Sequence, residues 1–124
     1  MSARGSLVIP PAEPHWSENL ALTKLQAQGL VLVCRNYNTR LGEIDLIMDD
    51  TEHLVFIEVR QRSHTRYGRP EETISPAKRR RLRRTATLFL QQHPALQAQA
   101  CRFDVFAVTG DAAKPCCHWI RDAF

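Results

Sequence analysis

The sequence predicts an α/β fold in which a mixed central β-sheet is flanked by helices. One observation is the order of the periodic segments, which runs helix, three strands, helix, two strands along the 124 residues. A second is the position of the second helix, between the third and fourth strands, because a helical crossover makes the strands it joins parallel. A third is the tight polar turn inside residues 42–62, which makes the second and third strands an antiparallel hairpin.

Local signals place each element. Ser17 is a suitable N-cap and Gly29 a suitable stop for a first helix over 17–28. Ser75 and Pro76 are a good N-cap and first residue for a second helix that runs to about residue 93. The remaining segments are rich in β-branched and apolar residues and predict strands at 30–37, in the hairpin 42–62, at 101–109 and at 117–121.

The chain has the length of one domain, which we place at residues 15–124. Residues 1–14 contain three prolines and no periodic pattern, so we expect a disordered tail there. No apolar run reaches transmembrane length, and the hydrophobic stretch at residues 7–9 is too short for a signal peptide. We therefore expect a cytoplasmic protein with no membrane partner.

Two acids stand where a strand should carry apolar side chains. Asp45 lies inside the run IDLI, and Glu58 lies inside VFIEV. If Thr51 and Glu52 form a two-residue turn, Asp45 falls directly opposite Glu58, and both side chains point the same way with Cβ atoms about 5 Å apart. A turn longer by one residue would put the two acids on opposite faces of the hairpin.

Two carboxylates at that separation repel each other unless a proton or a cation lies between them. A divalent metal ion is the usual solution for hard oxygen ligands. Glu18 lies at one end of the inward stripe of the first helix, with Leu22 and Leu25, and could reach the same site. The alternative is that Glu18 only interacts with the positive end of its own helix.

Asp104 is a third acid inside a predicted strand, in the segment CRFDVFAV. Pairing with Arg102 or another arginine explains a buried acid at this position. We therefore leave Asp104 out of the predicted site.

Basic residues are concentrated in residues 60–84, which contain ten Lys or Arg against two Glu in a chain whose net charge is +4. Several of these residues lie in the first turns of the second helix. Cations there oppose the helix dipole and repel one another. Bound phosphate accounts for such a run, and the alternative is a solvated helix face. The predicted nucleic-acid-binding residues are Arg62, Arg66, Arg69, Lys78, Arg79, Arg80, Arg83 and Arg84.

Taken together, Glu18 and the segments GEIDLI, VFIEVRQR, SPAKRRRL and RFDVFAV resemble the bacterial YraN family. That family is grouped with the restriction-endonuclease-like, or PD-(D/E)xK, superfamily, which includes Holliday-junction resolvases. The resemblance implies an αβββαβ core and a site in which Glu18, Asp45 and Glu58 bind Mg²⁺ or Mn²⁺. It also places Arg60 at the position of the superfamily's lysine and, by analogy with the resolvases, implies a homodimer.

Arg60 departs from the superfamily pattern, since an arginine cannot be deprotonated in a protein and cannot act as a general base. It can still stabilise charge on a phosphoryl group. We therefore expect a metal-dependent nuclease-like protein that binds, and cleaves, branched or single-stranded DNA. The alternatives are a non-catalytic nucleic-acid-binding module with the same fold, and an adaptor whose arginines bind an acidic protein.

Overall fold

The structure is a computed structural model that describes residues 16–62 and 74–124. The predicted tail and two of the predicted nucleic-acid-binding residues, Arg66 and Arg69, lie outside the described residues. The helices are α1 (Trp16–Ala27), α2 (Pro76–Gln92) and a short 3₁₀ helix (Pro94–Leu96). The strands are β1 (Val31–Asn38), β2 (Glu43–Asp49), β3 (His53–Arg62), β4 (Ala100–Thr109) and β5 (Cys116–Ile120). This order confirms the predicted α/β fold and adds the 3₁₀ helix.

The five strands form one sheet in the order β1-β2-β3-β4-β5. Neighbouring strands are antiparallel except for β3 and β4, which are parallel from His53 beside Ala100 to Arg62 beside Thr109. Helix α2 connects these two strands, as the crossover argument requires. The mixed sheet is therefore confirmed.

The two α-helices are associated with different faces of the sheet. Alternate side chains of β2 and β3 point to opposite faces, which divides the core into two clusters. The cluster beneath α1 includes Leu25, Leu30, Leu46, Met48, Val55, Ile57, Phe106 and Val108. The cluster beneath α2 includes Ile47, Leu54, Phe56, Leu82, Ala86 and Phe89. Within the described segments, neither helix is long and apolar enough to cross a membrane.

Helix α1 begins at Trp16, so Ser17 lies inside the helix and its predicted role as N-cap is wrong. Trp16 packs against the core cluster beneath α1, and this tertiary contact accounts for the additional helical residue. The predicted stop at Gly29 is confirmed, with φ of 96°. The amide of Leu30 donates to the carbonyl of Leu25 at 3.2 Å, which closes the helix in a Schellman arrangement.

Helix α2 begins as predicted. The Ser75 side chain accepts a hydrogen bond from the Lys78 amide at 3.1 Å, and Pro76 is the first helical residue. The buried stripe is made of Leu82, Thr85, Ala86 and Phe89. This start positions the basic first turns of α2 relative to the hairpin.

Asp104 is fully buried, and its predicted pairing with Arg102 is confirmed. Its Oδ1 accepts from Arg102 Nε and the Asp122 amide, each at 2.9 Å. Its Oδ2 accepts from Arg102 Nη2 at 3.0 Å and Trp119 Nε1 at 2.8 Å. Arg102 also donates to Asp50 at 3.1 Å, so this carboxylate ties β4 to β5 and, through Arg102, to the hairpin turn.

We predict that Asp104→Asn lowers the free energy of unfolding by about 3 kcal/mol, because either orientation of the amide would place its NH₂ against two donors. Urea denaturation measures this change. The matched control is Asp122→Asn, the same substitution at an exposed residue of the same network. Equal stabilities of the two variants would contradict the structural role given to Asp104.

Candidate active site

The turn between β2 and β3 has two residues, which is the length that the predicted register requires. The amide of Asp50 donates to the carbonyl of His53 at 3.1 Å, which leaves Thr51 and Glu52 as a two-residue loop. Asp50 Oδ1 accepts from the amides of Glu52 and His53, and Thr51 has φ of 77°. The Asp50 side chain thus stabilises a turn that has no Asn-Gly pair.

The ladder of this hairpin brings the two strand acids to the same position. Leu46 lies opposite Ile57 in the register, so the next position along brings Asp45 opposite Glu58. At this position the Asp45 side chain bonds to the backbone of β3, since its Oδ2 accepts a hydrogen bond from the Val59 amide at 2.8 Å. The two-residue turn on which the prediction depended is confirmed, and extending the register by one position gives the predicted alignment of the two acids.

A cleft of about 520 Å³ opens at these acids. Elements α1, β2, β3 and α2 all contribute to its lining. Its charged residues include Glu18, Glu43, Asp45, Glu58, Arg60, Lys78 and Arg81. The structure thus brings all four predicted catalytic residues to one cleft, together with two cations from α2.

The environment of Asp45 disfavours its negative charge. Asp45 is 9% exposed and Glu58 is 5% exposed, so neither carboxylate is well solvated. Burial, followed by the charge of Glu58, raises the pKa of Asp45 from its ordinary value of 3.8 to about 8, and Glu18 adds to the increase. The hydrogen bond from Val59 opposes this increase. A proton or a cation therefore stabilises the pair.

Two cations approach Glu58 on the same oxygen. Lys78 Nζ lies 2.5 Å from Glu58 Oε2, and Arg60 Nη1 lies 3.7 Å from it. Sequence analysis assigned Lys78 to phosphate binding alone and missed its contact with Glu58. Its position in the inward stripe of α2, four residues before Leu82, is the signal that could have found this contact.

The two acids have the oxygen chemistry that suits Mg²⁺ or Mn²⁺. In proteins Mg²⁺ is commonly held by one or two carboxylates, and waters and substrate phosphate supply the other ligands. Asp45 and Glu58 fit that pattern. Within residues 16–62 and 74–124, no three His, Cys, Asp or Glu side chains are grouped closely enough to hold an ion. Glu18 therefore adds negative charge near Asp45 but does not form a three-residue ligand set with Asp45 and Glu58.

The arginines predicted to bind nucleic acid divide into two groups. The guanidinium of Arg79 lies 5.7 Å from the ring centroid of Phe124, and that of Arg83 lies 5.2 Å from Phe103 and 5.5 Å from Phe124. Arg80 and Arg84 form the second group and are exposed. Arg83 is exposed as well, so it stays accessible to a phosphate backbone despite its ring contacts, whereas Arg79 is half-buried.

Arg62 is the last residue of β3, four residues beyond Glu58. Its carbonyl accepts a hydrogen bond from the Gly110 amide at 3.0 Å, and it does not line the cleft in the described part of the chain. The structure therefore places Arg62 beside the turn between β4 and β5.

The raised pKa of Asp45 predicts how stability depends on pH in EDTA. Between about pH 4 and pH 8 the folded state binds a proton that the unfolded state has lost, so the free energy of unfolding falls as pH rises through this window. Asp45→Asn removes this dependence. From pH 5 to pH 8, its stability relative to wild type should increase by about 2–4 kcal/mol in urea denaturation.

Glu52→Gln is the matched control, because Glu52 is an exposed acid in the hairpin turn and is not among the described residues that line the cleft. Its stability relative to wild type should stay constant across the same pH range. A variant Asp45→Asn that is less stable than wild type at pH 8 would contradict the repulsion between Asp45 and Glu58.

Residues 17–108 match a family described as "Uncharacterised protein family UPF0102". A UPF0102 protein of Nitrosococcus oceani is 50% identical over 108 residues, which is 87% of each chain. One from Alkalilimnicola ehrlichii is 50% identical over 86% of this chain and 82% of its own, and one from Xanthomonas campestris is 49% identical over 86% of each. The resemblance to the YraN family drawn from the motifs is confirmed, and this chain belongs to the UPF0102 family.

Proposed function

We propose that this protein is a cytoplasmic, metal-dependent nuclease-like protein that binds DNA and hydrolyses its phosphodiester bonds. The observation that carries the proposal is the pair of buried acids, Asp45 and Glu58, held side by side in a cleft that three cations also line. Carboxylates that can hold a metal ion and cations that can bind phosphate are both suited to metal-assisted phosphodiester hydrolysis.

Asp45 and Glu58 would hold Mg²⁺ or Mn²⁺, with Glu18 adding negative charge from α1. When bound, the ion would lower the pKa of a water and offset charge on the phosphate. The Val59 amide fixes the orientation of the Asp45 carboxylate, so this ligand is positioned before an ion arrives.

Arg60 and Arg81 are placed to bind phosphate oxygens. Arg60 follows Glu58 on β3 with one residue between them, and Arg81 lines the cleft from α2. Since an arginine stays protonated, these residues would hold and neutralise the phosphate and would not remove a proton from water. Arg80 and Arg84, exposed on α2, would extend the contact along the DNA backbone.

A second candidate is a nucleic-acid-binding module that does not cleave. The contact of Lys78 with Glu58, together with Arg60 nearby, supports it, because these cations compensate Glu58 without a metal ion. Such a protein would keep the basic surface of α2 and bind DNA equally well in EDTA.

A nicking assay separates the two candidates. We predict that the wild type nicks plasmid, single-stranded or branched DNA with Mn²⁺ or Mg²⁺ and does not do so in EDTA. Asp45→Asn should lower the rate by at least about 100-fold, because even changes behind the direct ligands of a metal cost about 10–100-fold. Glu52→Gln, at an exposed acid of the hairpin turn, should retain most activity. If the wild type binds DNA without metal and nicks none of these substrates under any condition, the second candidate is supported instead.

Binding to DNA should be mostly electrostatic. We predict that the double variant Arg80→Ala, Arg84→Ala reduces the slope of log K against log salt by up to about 1.8, since each lost phosphate contact removes about 0.9 on duplex DNA. Filter binding or fluorescence anisotropy over a salt series measures the slope. Lys24→Ala, on the helix associated with the other face of the sheet, is the control. An unchanged slope in the double variant would exclude this face of α2 from the interface.

A further inference from the structure

We propose that Lys78 is a mobile counter-ion of the acidic cleft. Its ammonium neutralises Glu58 in the metal-free protein, leaves Glu58 when a divalent cation binds there, and then binds a phosphate oxygen of the nucleic acid. This inference rests on the proposed function, because it assigns a role to Lys78 at the same site.

The contact between the two side chains is direct. Lys78 Nζ lies 2.5 Å from Glu58 Oε2, and the Glu58 side chain is only 6% exposed. An uncompensated carboxylate at that depth would carry a large desolvation penalty. Lys78 therefore supplies the nearby positive charge that the burial of Glu58 requires. Arg60 approaches the same oxygen from a greater distance.

Helix α2 itself does not account for a lysine at this position. Lys78 is the third helical residue after the N-cap Ser75, where a cation opposes the positive end of the helix dipole. The Ser75 side chain fixes the Lys78 amide, so the backbone there is anchored while the side chain is 32% exposed. An anchored backbone with a flexible four-carbon side chain allows the ammonium to move without a change in the helix.

The ammonium and a divalent cation compete for one oxygen. A Mg²⁺ ion binds carboxylate oxygen at about 2.1 Å, and the ammonium already lies in contact with Oε2. A divalent ion in direct contact with this oxygen would repel the ammonium more strongly than Arg60 does at 3.7 Å, because it carries twice the charge and lies closer. Binding of the ion through Oε2 therefore displaces Lys78.

The displaced ammonium stays close to the other cations of the cleft. Arg60 and Arg81 line the same cleft, so a phosphate held there would meet three cations from two elements. Lysine is a compact point charge with three donors, whereas Arg60 is a planar fork that suits a fixed bidentate contact. Lys78 is thus the cation best able to exchange between a carboxylate and a phosphate.

The alternative is a permanent salt bridge that fastens α2 to β3 and has no part in ligand binding. Nuclear magnetic resonance distinguishes the two, because the sequence has three lysines and the other two, Lys24 and Lys114, are exposed internal controls. The full-length wild type, labelled with ¹⁵N, is titrated with Mg²⁺ in the absence of DNA. The ammonium signals of the lysines and the backbone amide of Val59, which binds Asp45, are followed.

We expect the Lys78 ammonium signal to shift and to exchange faster with water, with the same saturation curve as the Val59 amide, while Lys24 and Lys114 stay unchanged. A saturable shift at Val59 with no change at Lys78 would overturn the mobile counter-ion and leave the metal site standing. No shift at either group would overturn the metal site and this inference together.

The affinity for Mn²⁺, measured by electron paramagnetic resonance of the free ion, gives a second test. Lys78→Met keeps the length of the side chain and removes the competing charge, so it should bind Mn²⁺ about tenfold tighter than wild type. Lys78→Arg should stay near wild type. Arg81→Met, which removes a charge from the same helix and cleft, should have a smaller effect. Equal affinities of Lys78→Met and wild type would contradict the competition.

Discussion

The repulsion between Asp45 and Glu58 is the constraint on which the rest of the site depends. Both acids are more than nine-tenths buried, and the hairpin register holds them at one position of the sheet. Two negative charges in such surroundings need a proton, a cation or both. The raised pKa of Asp45 and the ammonium on Glu58 are the protein's own responses to that requirement.

The fold serves this pair by bringing charged groups to it from both helices. Glu18 comes from α1 and adds negative charge, while Lys78 and Arg81 come from α2 and add positive charge. The acids of the cleft are therefore partly balanced without an ion, in contrast to a site made of carboxylates alone. This balance explains why the same residues support both a nuclease and a non-catalytic binding module as candidates.

The fold and the acidic pair could be predicted because they depend on local patterns. The order of elements follows from periodicity, and the alignment of Asp45 with Glu58 follows from counting back from a two-residue turn. Asp104 could be separated from the site because Arg102, two residues away on the same strand, offered it a partner. Each of these inferences uses residues close in sequence or joined by one ladder.

The contacts that sequence analysis missed depend on how distant elements pack. The spacing within α2 shows that Lys78 lies on the inward stripe, but its contact with Glu58 depends on how α2 packs against β3. Arg83 lies over Phe103 and Phe124, so its place depends on where the last residue packs. The start of α1 depends likewise on the packing of Trp16.

The proposed function depends on Asp45 and Glu58 binding a divalent cation together. The decisive measurement is a crystal structure of the protein soaked in Mn²⁺, with anomalous diffraction recorded at the manganese absorption edge. We expect an anomalous peak between the two carboxylates, within about 2.3 Å of an oxygen of each. A crystal with no peak in the cleft, and with the Lys78 ammonium still on Glu58, would contradict it.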